Sequence, residues 1–345
     1  MRNSILVWAR RSTVLPDARR LPLGAHLPWC LALSAACVGS PRLAAAQSPD
    51  SASPRPAYPL FRPLIIQSGL LPGRRLQPTY RGAAIDDVRA RPGSQLRALL
   101  TAPLLLTKPV TVLASLSYLR ESAGFDGHVR GFGPLDLAYA RQEVGLSISA
   151  LHQDSLWGRP VTYLASLTGQ SRNVKSLEKL TGGVTAILTL RSTPRTRLSA
   201  GLTLQLNPSQ AIPVIPVVSY WHRYARSRWE LDAVLPSRVH LRRPLPAGKG
   251  WLSVGTDLVT THSFGPGAAL GLGSTLEATT ANLQTGVLVE YPLMRFLLGG
   301  LRAGLDSPLS MQVGRKNSPE AAIKATGKQA GYTGMTLSVV VPPKR

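Results

Sequence analysis

Between Trp229 and Arg242 the ionisable side chains Glu230, Asp232, Arg238, His240 and Arg242 all fall on one parity. On a period of two they share a face of an extended chain with Val234 and Pro236, while Trp229, Leu231, Ala233 and Leu235 share the other. Read as one long strand, that face carries acids at one end and bases at the other. Arg97, Arg141, Glu143, Arg197, Asp257 and Glu290 fall on the polar faces of their own segments. If the apolar faces turn outward, these charges turn into a common interior, where a transverse field biases solute passage. The competing expectation is that they neutralise one another inside a filled interior.

Other constellations point to less chemistry. His152-Gln-Asp154-Ser155 holds the residue types of a serine hydrolase, but a triad is a matter of geometry, and neighbours this close read first as a polar turn. Histidines 128, 152, 222, 240 and 262 show no metal-ligand spacing. The stretch Gly265–Gly273 has no following Lys-Ser/Thr, so it reads as a loop or a small-residue strand rather than a phosphate cradle. Both cysteines, Cys30 and Cys37, precede residue 40, which leaves the rest of the chain without a disulfide, a cysteine zinc site or a thiol nucleophile. No catalytic residue, cofactor or metal is therefore expected.

The elements that must position the charges are strands. Leu198, Ala200, Leu202, Leu204 and Leu206 alternate with Arg197, Ser199, Gly201, Thr203 and Gln205. Val184, Ala186, Leu188 and Leu190 alternate with Thr185, Ile187 and Thr189, and a polar connector over 191–196 makes the two segments a hairpin. The same rhythm returns over 110–118, 144–150, 161–167, 283–291 and 335–341. About twelve strands are expected between residues 94 and 342, with no amphipathic helix among them.

The 345 residues carry 40 Lys and Arg against 17 Asp and Glu, a formal charge of +23, yet only 17% of residues are charged. Residues 1–46 order themselves as a signal peptide: arginines 2, 10, 11, 19 and 20, an apolar stretch from Leu21 to Gly39, then small residues at Ala44–Ala46. Its removal takes away six Arg and one Asp and leaves +18. Ser34-Ala35-Ala36-Cys37 forms an incomplete lipobox, so lipidation at Cys37 is a minor alternative. Residues 47–93 hold eight prolines and read as a linker or irregular segment. The polar strand faces are mostly Ser, Thr, Gly and Gln rather than the Lys and Glu of a soluble sandwich. Segments of about ten residues fit a tilted span with an apolar exterior and polar interior. The expectation is an all-β, antiparallel up-and-down transmembrane barrel over 94–342.

The stretch from Asn207 to Asp257 resembles a family of uncharacterised Gram-negative outer-membrane β-barrel proteins, through Pro213–Trp221, Trp229–Pro236, Val239–Arg242 and Trp251–Gly255. In that pattern a strand ends on Pro, a W-x-L-x-x-x-L-P strand follows, and the chain continues straight into the next strand. The resemblance implies a barrel and an outer-membrane location but no chemistry. One departure is the ending Val341-Pro-Pro-Lys-Arg345, where many such barrels carry a terminal aromatic. The functional expectation is a narrow pore for small solutes or a structural envelope protein. Its partners would be outer-membrane lipids, lipopolysaccharide phosphates met by loop arginines, and the barrel-assembly machinery, with no nucleic acid. Two alternatives stand beside it: an exported soluble β protein that binds polyanions or glycans through basic loops, and a barrel lipid hydrolase using His152 and Ser155.

Overall fold

The computed structural model describes Tyr58 and residues 61–341, apart from 81–82, 85–87, 108, 130–132, 173–175, 208, 210–212, 247–249, 267–274, 317 and 319–320. The expected signal peptide and Cys37 lie outside the described residues. In chain order the strands are β1 (Leu64–Leu71), β2 (Arg74–Tyr80), β3 (Ala83–Ala84), β4 (Val88–Leu106), β5 (Val110–Val129), β6 (Gly133–Leu156), β7 (Arg159–Ser171), β8 (Lys179–Thr193) and β9 (Thr196–Leu206). Then come β10 (Val214–Arg223), β11 (Glu230–Leu235), β12 (Arg238–Pro244), β13 (Trp251–Pro266), β14 (Thr275–Met294), β15 (Leu297–Arg315), β16 (Ala321–Gly327) and β17 (Ala330–Val339).

From β4 to β15 each strand pairs antiparallel with the next, and β1 lies between β4 and β17 and closes the ring. The ring has fourteen strands: β1, β4 to β15, and β17. Beyond it β2 and β16 pair with each other and prolong β1 and β17 in the same register against β4 and β15. Closure leaves no exposed ladder edge along the ring.

The count of fourteen corrects the expected twelve, and two places explain the difference. The segment from Trp229 is not one strand. It turns at Pro236-Ser237 into the hairpin β11–β12, because Pro236 cannot donate to a continuing ladder. The barrel also begins before residue 94. Leu64-Ile65-Ile66 opens β1 inside the Pro-rich segment assigned to a linker. Two of its prolines cost little, because Pro72 sits at the break between β1 and β2 and Pro92 sits where β4 shifts register between Arg91 and Ser94.

The alternation read from the sequence sorts outside from inside. Leu146, Ile148, Val184, Leu202, Leu204, Leu206, Val287, Val289 and Met335 are exposed on the outer surface, while their neighbours Thr189, Ser199, Thr336 and Ser338 are buried. The fully buried side chains include Lys179 and Glu290. This burial is inverted relative to a water-soluble fold, in which exposed apolar area is kept scattered.

The two ends of the barrel differ. At one, tight turns join β4 to β5, β6 to β7, β8 to β9 and β14 to β15. Trp157-Gly158 turns β6 into β7 with φ of 53° and 71°, the left-handed pair that a two-residue hairpin of matching twist needs. Trp157, Tyr163, Tyr224, Tyr291 and Phe296 are exposed around this short-turn end, as an interfacial aromatic belt would be. At the other end the rim is uneven. β4 to β6 and β13 to β15 run 16–24 residues, but β10 to β12 run only 6–10.

Candidate lumenal site

The hairpin turn at Pro236-Ser237 reorganises the charges of the β11–β12 segment. Instead of lying at opposite ends of one strand, acids and bases become cross-strand neighbours: Glu230 opposes Arg242, and Asp232 opposes His240. Asp232 Oδ2 accepts from Arg242 at 2.5 Å and lies 3.3 Å from Arg238. Glu230 pairs with Arg223 at 2.7 Å, and His240 Nε2 lies 3.0 Å from Asp257. Neutralisation between sheet neighbours replaces the end-to-end field expected of a single strand.

At the short-turn end this wall holds the segment that precedes β1. Tyr58 is buried and donates from its hydroxyl to Glu290 Oε2 at 2.5 Å. Its ring meets Trp251 edge-on at 5.3 Å, and the Arg242 guanidinium lies 4.2 Å from its centroid. Arg62 donates to Glu290 Oε1 at 2.5 Å and to Ser338 Oγ at 3.1 Å, and also bonds the Tyr58 hydroxyl. Glu290 is 1% exposed, so it is a buried carboxylate held by two donors from outside the ring. Burial and the adjacent Glu290 charge push the Tyr58 phenol well above its usual range, so it stays a donor. Burial opposes the Arg62 charge, but its bonds to Glu290 and Tyr58 outweigh that and hold it charged.

Two cavities occupy the lumen between this floor and the long-strand end. The lower, about 250 Å³, is lined by Tyr58, Arg62, Arg238, His240, Arg242, Asp257 and Glu290 among others. The upper, about 310 Å³, is lined by Arg74, Arg91, Arg97, Glu121, Asp306 and the apolar Leu76, Val259, Met311 and Ala325. Gln67, Gln284, Arg302 and Tyr332 line both, so the cavities adjoin at this waist. There Arg302 donates to Gln284 at 3.2 Å and to Tyr332 at 3.1 Å, with a carboxylate oxygen of Asp257 at 3.9 Å. Asp306 accepts from Arg74, Asn282 and Gln284. Gly255, Gly286 and Gly304 lie side by side just below. A Cβ at Gly304 would sit 2.1 Å from the Thr285 carbonyl oxygen, so glycine is what the approach of these strands allows. Together the two linings carry seven arginines (62, 74, 91, 97, 238, 242 and 302) against four carboxylates (Glu121, Asp257, Glu290 and Asp306), with Asp232 behind them.

The mouth at the long-strand end is bridged. Lys179, on the lumenal face of β8, bonds Glu277 of β14, six places away in the ring. Ser209 joins the pair, donating to Glu277 at 2.7 Å, and His262 lies 3.2 Å from the same carboxylate. Glu277 stands on the opposite face of β14 from Ala278 and Thr280, which line the upper cavity. The outer face of the prolonged β13–β14 hairpin therefore meets the inner face of β8, and the hairpin leans across the mouth above the short β10–β12. An extra residue in β15, where the register shifts opposite Ala281 and Asn282, supplies a bend in this extension.

Of the ten charges singled out in the sequence, Glu230, Asp232, Arg238, Arg242, Asp257 and Glu290 form the connected wall, and Arg97 lines the upper cavity. Glu143 is half-buried on β6, where it opposes Leu119 of β5, and Arg197 is exposed beside the turn into β9. Arg141 opposes Glu121 in register, but its side chain lies outside the described residues. Sequence reasoning missed Tyr58, Arg62, Arg74, Lys179, Glu277, Arg302 and Asp306. The two-residue alternation Gly300, Arg302, Gly304, Asp306 was a usable signal for the last two. His152 and Asp154 lie on one face of β6 and Ser155 on the other, so the hydrolase grouping does not converge. His152 instead stacks on Tyr163 at 6.3 Å. The Gly-rich stretch falls largely outside the described residues.

No protein-family model matches the chain, and no curated protein matches it either. Among solved structures it is similar to an outer-membrane channel from Pseudomonas putida F1, at 11% identity, covering 83% of this chain and 99% of that one with a TM-score of 0.37. It is also similar to the outer-membrane protease OmpT from Escherichia coli (7% identity, 80% and 96% coverage, TM-score 0.25). A third likeness is to the toluene transporter TodX of P. putida (9% identity, 89% and 94% coverage, TM-score 0.23).

Proposed function

We propose that this chain is an outer-membrane β-barrel whose lumen provides a narrow, normally occluded path for small solutes. The observation that carries the reading is the pair of adjoining cavities inside a closed ring whose outer face is apolar and whose inner face holds the ion pairs. In this reading the short-turn end faces the periplasm and the uneven rim faces outward, the usual arrangement of such barrels. The Tyr58–Arg62 segment then stops the periplasmic side and the β13–β14 hairpin narrows the outer side. Arg75, Arg89, Arg120 and Lys324 are exposed near the uneven rim, where lipopolysaccharide phosphates would meet them. An export signal and the barrel-assembly machinery belong to the same reading.

The test is conductance of the purified protein in planar bilayers, with the gel shift between unheated and boiled samples as the check of folding. Small, intermittent single-channel steps are expected. A heat-shifting protein that never conducts would leave a structural barrel in place of a pore. A protein that washes from membranes with salt and shows no heat shift would instead support the soluble polyanion binder.

A further inference from the structure

We infer that the two joined cavities take small organic anions, carboxylates with an apolar body, and that Arg302 is the point at which such an anion passes from one cavity to the other. The inference rests on the pore reading and names the class of solute it serves.

Three observations carry it. The combined linings hold seven arginines against four carboxylates, and adding Asp232 still leaves the arginines in excess. That excess favours an anion in a water-poor lumen. Arg302 is the arginine placed to use it. Arg74 and Arg242 are bonded to Asp306 and Asp232, whereas Arg302 bonds the neutral Gln284 and Tyr332 and stands 3.9 Å from Asp257. It is oriented by neutral acceptors, so much of its charge remains for a ligand, and it faces both cavities at the waist. The third observation is the upper wall, where Leu76, Val259, Met311 and Ala325 share the cavity with the arginines. Such a wall gives nothing to chloride or phosphate but stabilises an apolar body attached to a carboxylate. A cation of the same shape meets the same wall but the wrong charge.

The experiment uses the full-length protein in planar bilayers, with reversal potentials measured under gradients of sodium benzoate, benzylammonium chloride and sodium chloride. Benzoate is expected to permeate better than chloride and much better than benzylammonium. Arg302→Gln, checked for folding by its heat shift, is expected to lower the benzoate-to-benzylammonium ratio roughly tenfold, the loss of one charge-assisted bond. Arg302→Lys, which keeps the charge, should retain most of the ratio. Equal permeation of benzoate and benzylammonium in the wild type overturns the inference, even if Arg302→Gln fails to fold. So does an unchanged ratio in a folded Arg302→Gln. If the folded wild type conducts no ion, the pore reading fails, and binding decides the anion site separately. Saturable benzoate quenching of tryptophan fluorescence that is lost in Arg302→Gln supports it, and its absence overturns it.

Discussion

The inner faces of two stretches of wall differ although their outer faces are alike. In the middle of β6 to β9 the lumenal positions include Ser147, Ser149, Ser166, Thr168, Thr185, Ser199, Gly201 and Thr203, small and uncharged, and among the described residues charge on these faces is confined to the ends, at Glu143, Lys179 and Arg197. From β11 to β15 and β17 they are Glu230, Asp232, Arg238, Arg242, Asp257, Glu290, Arg302 and Asp306, with Tyr332 and Ser338. Both stretches present Leu and Val outward. In the proposed membrane setting the outer face answers to lipid, which asks the same of every strand. The inner face answers to what it contacts. The neutral stretch satisfies its hydroxyls by cross-strand pairs such as Thr185–Thr203 at 2.8 Å. The charged stretch holds the Tyr58–Arg62 segment and borders the lower cavity. Charge is thus concentrated where the wall has a ligand of its own to hold, a piece of its own chain.

The largest effect is expected from removing the centre of that contact. Glu290→Ala leaves Arg62 buried without its carboxylate, a loss of about 3–5 kcal/mol. The segment should undock while the ring persists, seen as a normal heat shift, faster maleimide labelling of a cysteine at Phe61 (with Cys30 and Cys37 replaced), and larger conductance. Unchanged labelling would remove the segment from its role as a stopper. On the shared outer face, Leu202→Arg should cost about 2–4 kcal/mol in a bilayer, read from the denaturant midpoint of refolding into vesicles. A loss below the reach of that assay would place Leu202 away from the hydrocarbon.

Much of this was legible in the sequence, and the failures have physical causes. The facing of β9 could be read residue by residue because five Leu and Ala positions alternate without a break. The strand count failed where proline carries two meanings. Pro236 looks like a flaw in one long strand but makes a hairpin turn, and Pro72 and Pro92 look like parts of a linker but occupy a strand break and a bulge. Six charges of the wall were found because alternation marks the lumen. The Lys179–Glu277 bridge was not found, because the two lie on strands six places apart and their contact depends on one hairpin leaning over the mouth. Nothing local announces that bend.

Two smaller effects sharpen the comparison. Lys179→Met keeps volume at the mouth but removes the charge, leaving Glu277 to Ser209 and His262. A loss of about 1–3 kcal/mol in local stability is expected as faster amide hydrogen exchange over 258–262 and 276–282, with β9 unaffected. Equal protection would mean that packing alone holds the hairpin. In the neutral stretch a double-mutant cycle of Thr185→Val and Thr203→Val should give a coupling below about 1 kcal/mol. A coupling as large as the loss from Glu290→Ala would erase the distinction between the two walls.

The measurement that tests the account most directly is spin-label accessibility along β9 in lipid vesicles, with one labelled cysteine at each position from 198 to 206. A strict alternation is expected. Positions 198, 200, 202, 204 and 206 should collide with oxygen dissolved in the bilayer. Positions 199, 201, 203 and 205 should be shielded from it and reached, if at all, by a water-soluble nickel reagent. Access of the nickel reagent to both faces alike would contradict a membrane barrel with a polar lumen.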